Sequence, residues 1–160
     1  MRAPEVTDLM GRLDGAGIRA WVAGGWAVDI LVGRQTRPHG DLDLAIDAAQ
    51  LPQLLELLDG DGFTVSVDAL PSRAELAARD GRILDLHPVE FDSAGAGVQQ
   101  GLDGGTFTYA ADGFTRGTLA GTEIPCLSAR QQLVFRRGYR LRSVDHHDIA
   151  LLEWVMASEG

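Results

Sequence analysis

The chain has 160 residues, of which 45% are apolar and 23% charged, and a formal net charge of −9. Such a length suits one domain with a sizeable core, here taken as residues 1–160, and the composition is that of a globular protein. The negative field disfavours nucleic acid, no apolar run approaches the ~20 residues that span a bilayer, and Cys126, the single cysteine, excludes an internal disulfide. The N-terminal stretch Met1–Glu5 lacks the apolar segment of a secretory signal, so a cytoplasmic location is the expectation. Cys126 lies between apolar neighbours in Ile124-Pro-Cys-Leu127 and reads as an inert core thiol.

In chain order, Pro4 to Leu13 reads as a helix, with Pro4 and Glu5 in its first turn and Val6, Leu9, Met10 and Leu13 on one face. Ile18 to Ala23 is a short buried strand, Gly24-Gly25 a sharp turn, and Trp26 to Val32 a second helix stopped by Gly33. A polar loop, Arg34 to Gly40, leads into the strand Leu42 to Ile46, whose apolar residues alternate. Leu51 to Leu58 is a third helix, and Phe63 to Val67 a strand. The strands at Glu75 to Arg79 and Arg82 to His87 form a hairpin about Asp80-Gly81. Ser93 to Gly105, rich in Gly, Ala and Gln, is expected to be a flexible loop. Gly117 to Pro125 reads as a smaller hairpin, and Ser128 to Arg136 and Val144 to Met156 as helices. Ser128 with Gln131, and Asp145 with Asp148, fit N-terminal caps. The fold class is therefore α/β (α+β), a small mixed sheet flanked by helices.

Three features carry chemistry. Gly24 and Gly25 let the backbone approach a ligand closely, and the unpaired N–H groups of the next helix start suit phosphate oxygens. Asp41 and Asp43 alternate with Leu42 and Leu44, so both carboxylates leave the strand from one face. Like charges so close repel unless a cation lies between them, and magnesium takes such oxygen ligands together with substrate phosphates. Arg34, Arg37 and His39, just upstream, are candidate phosphate grips. His39, His87, His146 and His147 do not fall at zinc-site spacing. Further on, Asp85 alternates with Leu84 and Leu86, facing away from the core as His87 does. A carboxylate on an inner strand needs a partner, which a metal site or a salt bridge to Arg79 or Arg82 would supply.

Gly24-Gly25, a helix, and Asp41-x-Asp43 together resemble the DNA polymerase β-like nucleotidyltransferase superfamily. The fuller string, with Trp26-Ala-Val-Asp29 and Gly33-Arg-Gln-Thr-Arg-Pro-His39, is similar to its small lincosamide and aminoglycoside nucleotidyltransferases. The likeness continues through Leu84-Asp-Leu-His-Pro88, Ile124–Ser128, Phe135-Arg-Arg-Gly-Tyr139 and Asp145-His-His-Asp148. It implies a polymerase β-like fold and transfer of a nucleoside monophosphate from an NTP, expected to be ATP, to a hydroxyl, releasing pyrophosphate. It also implies one or two Mg2+ ions, with Asp41, Asp43 and Asp85 as metal-binding and catalytic residues and Gly24 and Gly25 as the phosphate turn. The superfamily's usual serine after the first glycine is missing here, since Gly25 and Trp26 follow Gly24.

The acceptor implied is a small hydroxylated cation such as a lincosamide or aminoglycoside. Glu90, Asp92 and Tyr109 are the candidate acceptor contacts, with Trp26, Phe91 and Tyr139 as further aromatic surfaces, although all four aromatics read more readily as core and the two acids equally as exposed loop residues. A homodimer sharing the acceptor pocket is a further expectation. The competing readings are a nucleotidyltransferase toxin acting on tRNA or protein, which a basic groove would favour, and a catalytically inactive nucleotide-binding protein. Three converging carboxylates argue against the second.

Overall fold

The computed structural model describes residues 1–137 and 139–158. Gly138, inside the Phe135–Tyr139 motif, lies outside the described residues, as do the last two residues. The chain runs α1 (Ala3–Gly15), β1 (Ala20–Val22), α2 (Gly24–Val32), β2 (Leu42–Asp47), a 3-10 turn (Ala48–Gln50) and α3 (Leu51–Gly60). There follow β3 (Phe63–Ala69), β4 (Arg73–Ala78), β5 (Ile83–Phe91), β6 (Gly97–Gln100), β7 (Thr106–Tyr109), β8 (Phe114–Leu119), β9 (Thr122–Leu127), α4 (Ala129–Phe135) and α5 (Ser143–Ser158).

The strands form one mixed sheet in the order β3-β4-β5-β2-β1-β9-β8, with β6 and β7 extending from the far end of β5. The pairs β2–β5 and β1–β9 are parallel. Strand period two sorts the side chains of β2 and β5 onto two faces. On one face Leu42, Leu44, Leu84 and Leu86 are fully buried and pack with Leu9 and Leu13 of α1 and Leu54 and Leu58 of α3. Truncating such a leucine to alanine costs about 2–5 kcal/mol, because the transfer energy is lost and a cavity remains. The opposite face carries Asp43, Asp85 and His87. Helix α2 joins both halves: Trp26, Ala27 and Ile30 enter the main core, while Val28 packs with Ala129, Leu152 and Val155 of α4 and α5.

Three expectations change. Gly24 and Gly25 are the first two residues of α2, not a separate turn before it. The expected flexible loop at 93–105 contains β6, which pairs with both β5 and β7. Its glycine has a packing reason, since a Cβ on Gly97 would run into the Val89 side chain. Composition reports that segment's weak local preference, whereas pairing on two edges decides its structure. Finally, β5 continues beyond His87 through Pro88 to Phe91. Cys126 is fully buried, and burial pushes its thiol up to about 12, as suits an inert core position. None of the helices is long and apolar enough to cross a membrane, among the described residues.

Candidate active site

The parallel register of β2 and β5 sets Asp43 opposite Asp85 and Ala45 opposite His87. One potential ligand atom from each of Asp43, Asp85 and His87 lies within 4.8 Å of the other two. His87 Nε2 is 3.1 Å from Asp43 Oδ1 and 3.9 Å from Asp85 Oδ2. Arg73, on β4, donates from Nε to Asp85 Oδ1 at 3.0 Å. The ion pair weighed for Asp85 thus exists, but its partner is Arg73; Arg82 pairs with Asp80 instead. A strand's sequence names its own period, whereas the neighbour across the sheet is set by register.

Asp41 lies one residue before β2, at the solvent-exposed rim of the same face. Desolvation by the surrounding protein raises its pKa, and the charges of Asp43 and Asp85 raise it further. Asp85 is also raised by burial, opposed by His87 and Arg73. Burial alone would lower the pKa of His87, but the hydrogen bond and charge of Asp43, with Asp85 behind it, turn the shift upward.

Helix α2 begins against this cluster. Ala23 N donates to Asp43 O at 2.9 Å, tying the helix start to β2. Gly24 has φ +60, and a Cβ there would fall on the Asp43 carboxylate. A Cβ on Gly25 would collide with Arg37 Nη2 and lie 2.6 Å from His39 Nδ1. The glycine pair therefore lets the Asp43 carboxylate, the Arg37 guanidinium and the His39 imidazole pack directly against the helix start, where N–H groups without helical partners also lie, the makings of an anion site.

Buried side chains hold those groups in place. Asp29, fully buried, accepts from Thr36 N at 2.9 Å and lies 2.5 Å from His39 Nε2, and the His39 ring packs 4.5 Å from Trp26. Arg37 makes a forked pair with Asp148 of α5, at 3.0 and 2.9 Å. Arg136 donates to the same carboxylate at 3.1 Å and to Gln132 O at 3.2 Å, and Gln132 Nε2 donates to Gly24 O at 3.0 Å. Burial would raise the Asp148 pKa, but the bonds from Arg37 and Arg136 bring it below the ordinary value. Asp148 is thus an anchor for two arginines rather than a helix cap. Asp145 does close its helix start, accepting from Arg142 N at 2.8 Å, and Arg142 holds its carboxyl down at about 2. Ser128 accepts from Gln131 N, but the Gln131 side chain bonds to Ala110 N and Thr108 O, so the capping box is half made.

A cavity of about 790 Å³ opens over the carboxylates. Gly24, Gly25, Arg37, His39, Asp41 and Asp43 line one end, and Leu102, Phe107, Tyr109, Phe135 and Tyr139 form an aromatic and apolar wall. Asp103 and Asp145 add acidic groups to the lining. Asp85 stands behind His87 and Arg73 and does not line the cavity itself. Three of the residues singled out from sequence lie elsewhere. Arg34 is exposed just beyond α2, and Glu90 is exposed on β5. Asp92 accepts from Ala94 N and Ala96 N, holding the turn before β6. Tyr109 does reach the cavity, but its hydroxyl is spent on Gln99 Oε1 at 2.7 Å, leaving the ring as the contact surface. Trp26 is core, and Phe91 packs with Trp21 and Phe114.

Arg73, His87, Gln99, Gln132, Arg136 and Asp148 belong to the site without having been picked from sequence. His87 carried a signal there, as it stands two residues after Asp85 on the same strand face, and Arg136 and Asp148 lie in the Phe135–Tyr139 and Asp145–Asp148 motifs of the family likeness. The donor chemistry fits a divalent cation. Burial pushes the carboxylates of Asp41 and Asp85 toward the protonated form, with the charge of Asp43 adding to both, and a bound cation would offset that cost.

Residues 5–152 match the model of the aminoglycoside-2''-adenylyltransferase family. A lincosamide resistance protein of Staphylococcus haemolyticus is 36% identical over 135 residues, 84% of each chain. Among solved structures, the lincomycin-bound lincosamide antibiotic adenylyltransferase LnuA superposes with a TM-score of 0.87 at 32% identity, over 97% of this chain and 98% of that one. The aminoglycoside enzyme ANT(2'')-Ia, in complex with adenylyl-2''-tobramycin, shares the fold, with a TM-score of 0.76 at 18% identity over 98% of this chain and 90% of that one.

Proposed function

The chain belongs to the aminoglycoside-2''-adenylyltransferase family and is a nucleotidyltransferase, and from that premise we propose that it transfers AMP from ATP to a hydroxyl of a lincosamide. The single observation that carries the assignment to these residues is the convergence of Asp41 and Asp43, in the lining of a cavity of about 790 Å³, with Asp85 paired beside Asp43 just behind that lining, next to the Gly24–Gly25 helix start. A lincosamide is favoured over an aminoglycoside because LnuA matches this chain end to end, whereas ANT(2'')-Ia shares only the fold.

In this reading the triphosphate lies over Gly25, where Arg37 and His39 converge. Arg37 is held by Asp148 and needs no reorganisation to meet phosphate charge, which is the condition for electrostatic stabilisation of a transition state. Asp41, Asp43 and Asp85 would hold a divalent cation, expected to be Mg2+, whose chemistry is to neutralise the phosphates and the departing pyrophosphate. The acceptor lies against the aromatic wall, with Asp103 facing its cationic nitrogen. Its hydroxyl oxygen forms a bond to the α-phosphorus while the bond from that phosphorus to the bridging oxygen breaks, and pyrophosphate leaves. Asp85, raised by burial, takes the hydroxyl proton, which requires Arg73 and His87, standing in front of it, to give way to the acceptor.

Mass spectrometry of the protein with Mg2+, ATP plus GTP, and a panel of lincosamides and aminoglycosides tests this directly. A lincosamide heavier by one AMP is the expected product. Adducts on aminoglycosides alone would move the acceptor class, and adducts on neither, with ATP still bound, would refute the proposed small acceptor.

A further inference from the structure

His87 has the geometry of a metal ligand and sits in the one three-residue cluster of ligating side chains found among the described residues. The groups behind it say otherwise. Gln99, on β6, is buried, with its amide nitrogen 3.0 Å from Ser72 O and 3.1 Å from His87 Nδ1. Its amide oxygen lies 2.7 Å from the Tyr109 hydroxyl. Ser72 O is a carbonyl and only accepts, so the Gln99 nitrogen must be the atom facing it. Turning the amide over would set two oxygens against each other in a buried place. The second N–H of Gln99 is therefore left to His87 Nδ1, which must offer a lone pair. A neutral imidazole with its lone pair on Nδ1 carries its proton on Nε2.

We infer that His87 is a positioning residue for Asp43 rather than a metal ligand, its Nε2 holding a proton donated to Asp43 Oδ1 through the Ser72–Gln99–Tyr109 lock. Taking up a second proton would place it on Nδ1 and leave Nε2 as it is, so Nε2 has no lone pair for a cation in either state. Asp43 Oδ1 already accepts that hydrogen bond, which leaves Oδ2, the oxygen against Gly24, as the one with both lone pairs free of His87 for the cation. The ligand set becomes carboxylate oxygen only, which suits magnesium and disfavours zinc, whose preferred sites include imidazole nitrogen. The role in metal binding rests on the nucleotidyltransfer reading above; the tautomer does not.

Two-bond proton–nitrogen correlation spectra of histidine-labelled, metal-free protein read the tautomer without metal, nucleotide or acceptor. A protonated Nε2 and an accepting Nδ1 on His87 are expected, whereas a bare Nε2 overturns the inference. In the Gln99→Leu protein, folded by circular dichroism, the preference for that tautomer should be lost; its persistence would show that Gln99 is not the lock. Loading with a spin-active cadmium isotope should give no scalar coupling to His87, and an observed coupling would make it a ligand. His87→Ala should weaken Mg2+ binding about 10–100-fold, the range for an outer partner of a metal ligand, with His87→Gln, which keeps an N–H donor, recovering most of it. Equal loss in both variants counts against the positioning role. Failure of AMP transfer with the tautomer as stated would sink the functional reading alone.

Discussion

Asp43 and Asp85 are register partners in the parallel β2–β5 pair, so two carboxylates from distant parts of the chain leave the sheet side by side. Parallel register brings the α-carbons of such partners to neighbouring-strand spacing, and period two turns both side chains away from the leucine core. Arg73 supplies the charge complement to Asp85 among the described ion pairs, with His87 Nε2 3.9 Å from its other oxygen.

Replacing Asp85 with Asn should separate binding from chemistry. Loss of a positioned base lowers turnover by about 10²–10⁴, while affinity for metal-free ATP should change little because the glycine pair at the helix start and Arg37 are untouched. Steady-state kinetics beside calorimetric ATP titration distinguishes the two, and an active Asp85→Asn enzyme would remove Asp85 from the proton path.

Gly25→Ala places a methyl group where Arg37 Nη2 and His39 Nδ1 converge. Losing one charge-assisted contact is worth about 1.5–3 kcal/mol, or roughly 10–100-fold in ATP affinity. Thermal stability should fall far less, since Gly25 has ordinary helical backbone. Unchanged ATP binding would place the triphosphate elsewhere.

Asp148→Ala leaves the arginines Arg37 and Arg136 without their shared carboxylate. Arg136 is only 8% exposed, so its guanidinium stays out of water. Breaking a buried pair from one side costs about 3–5 kcal/mol, measurable by urea denaturation. A double variant that also carries Arg136→Met should recover part of that loss.

Acid should loosen α5 first. Asp145 titrates at about 2 and Asp148 below its ordinary value, both lowered in the folded state by arginine partners. A lowered carboxyl contributes stability that is complete above the unfolded pKa of about 3.9 and is lost as pH falls toward the folded value. The stability gap between the native protein and Asp145→Asn should therefore hold steady above about pH 5 and shrink between about pH 4 and 2. A gap that does not narrow on acidification would show that Arg142 leaves the carboxyl unperturbed.

Glu90 and Asp92 lie outside the cavity, so Glu90→Gln and Asp92→Asn should leave the acceptor KM unchanged, with Asp92→Asn affecting only the turn that its carboxylate holds. Asp103→Asn, within the cavity lining, should raise it. A raised KM for Glu90→Gln would imply an acceptor bound beyond the cavity described.

Local sequence was enough to say which carboxylates share a strand face and that they point away from the leucine core. Alternation of Asp41, Asp43 and Asp85 with leucines is a local property of each strand, because side-chain direction follows from backbone period alone. Gly24-Gly25 before an apolar helix is likewise local, and with the downstream motifs it was enough to mark the family. The partners of those groups were decided only in three dimensions. Arg73 lies beside Asp85, and Asp148 reaches Arg37 from a helix 111 residues away. Gln99 locks His87 from a strand whose glycine-rich sequence reads as a loop. Contacts of that kind depend on register between strands and on helix docking, which no window of neighbouring residues encodes. The same limit misplaced Glu90 and Asp92, since the cavity closes over β6 and β7 rather than along the outer end of β5.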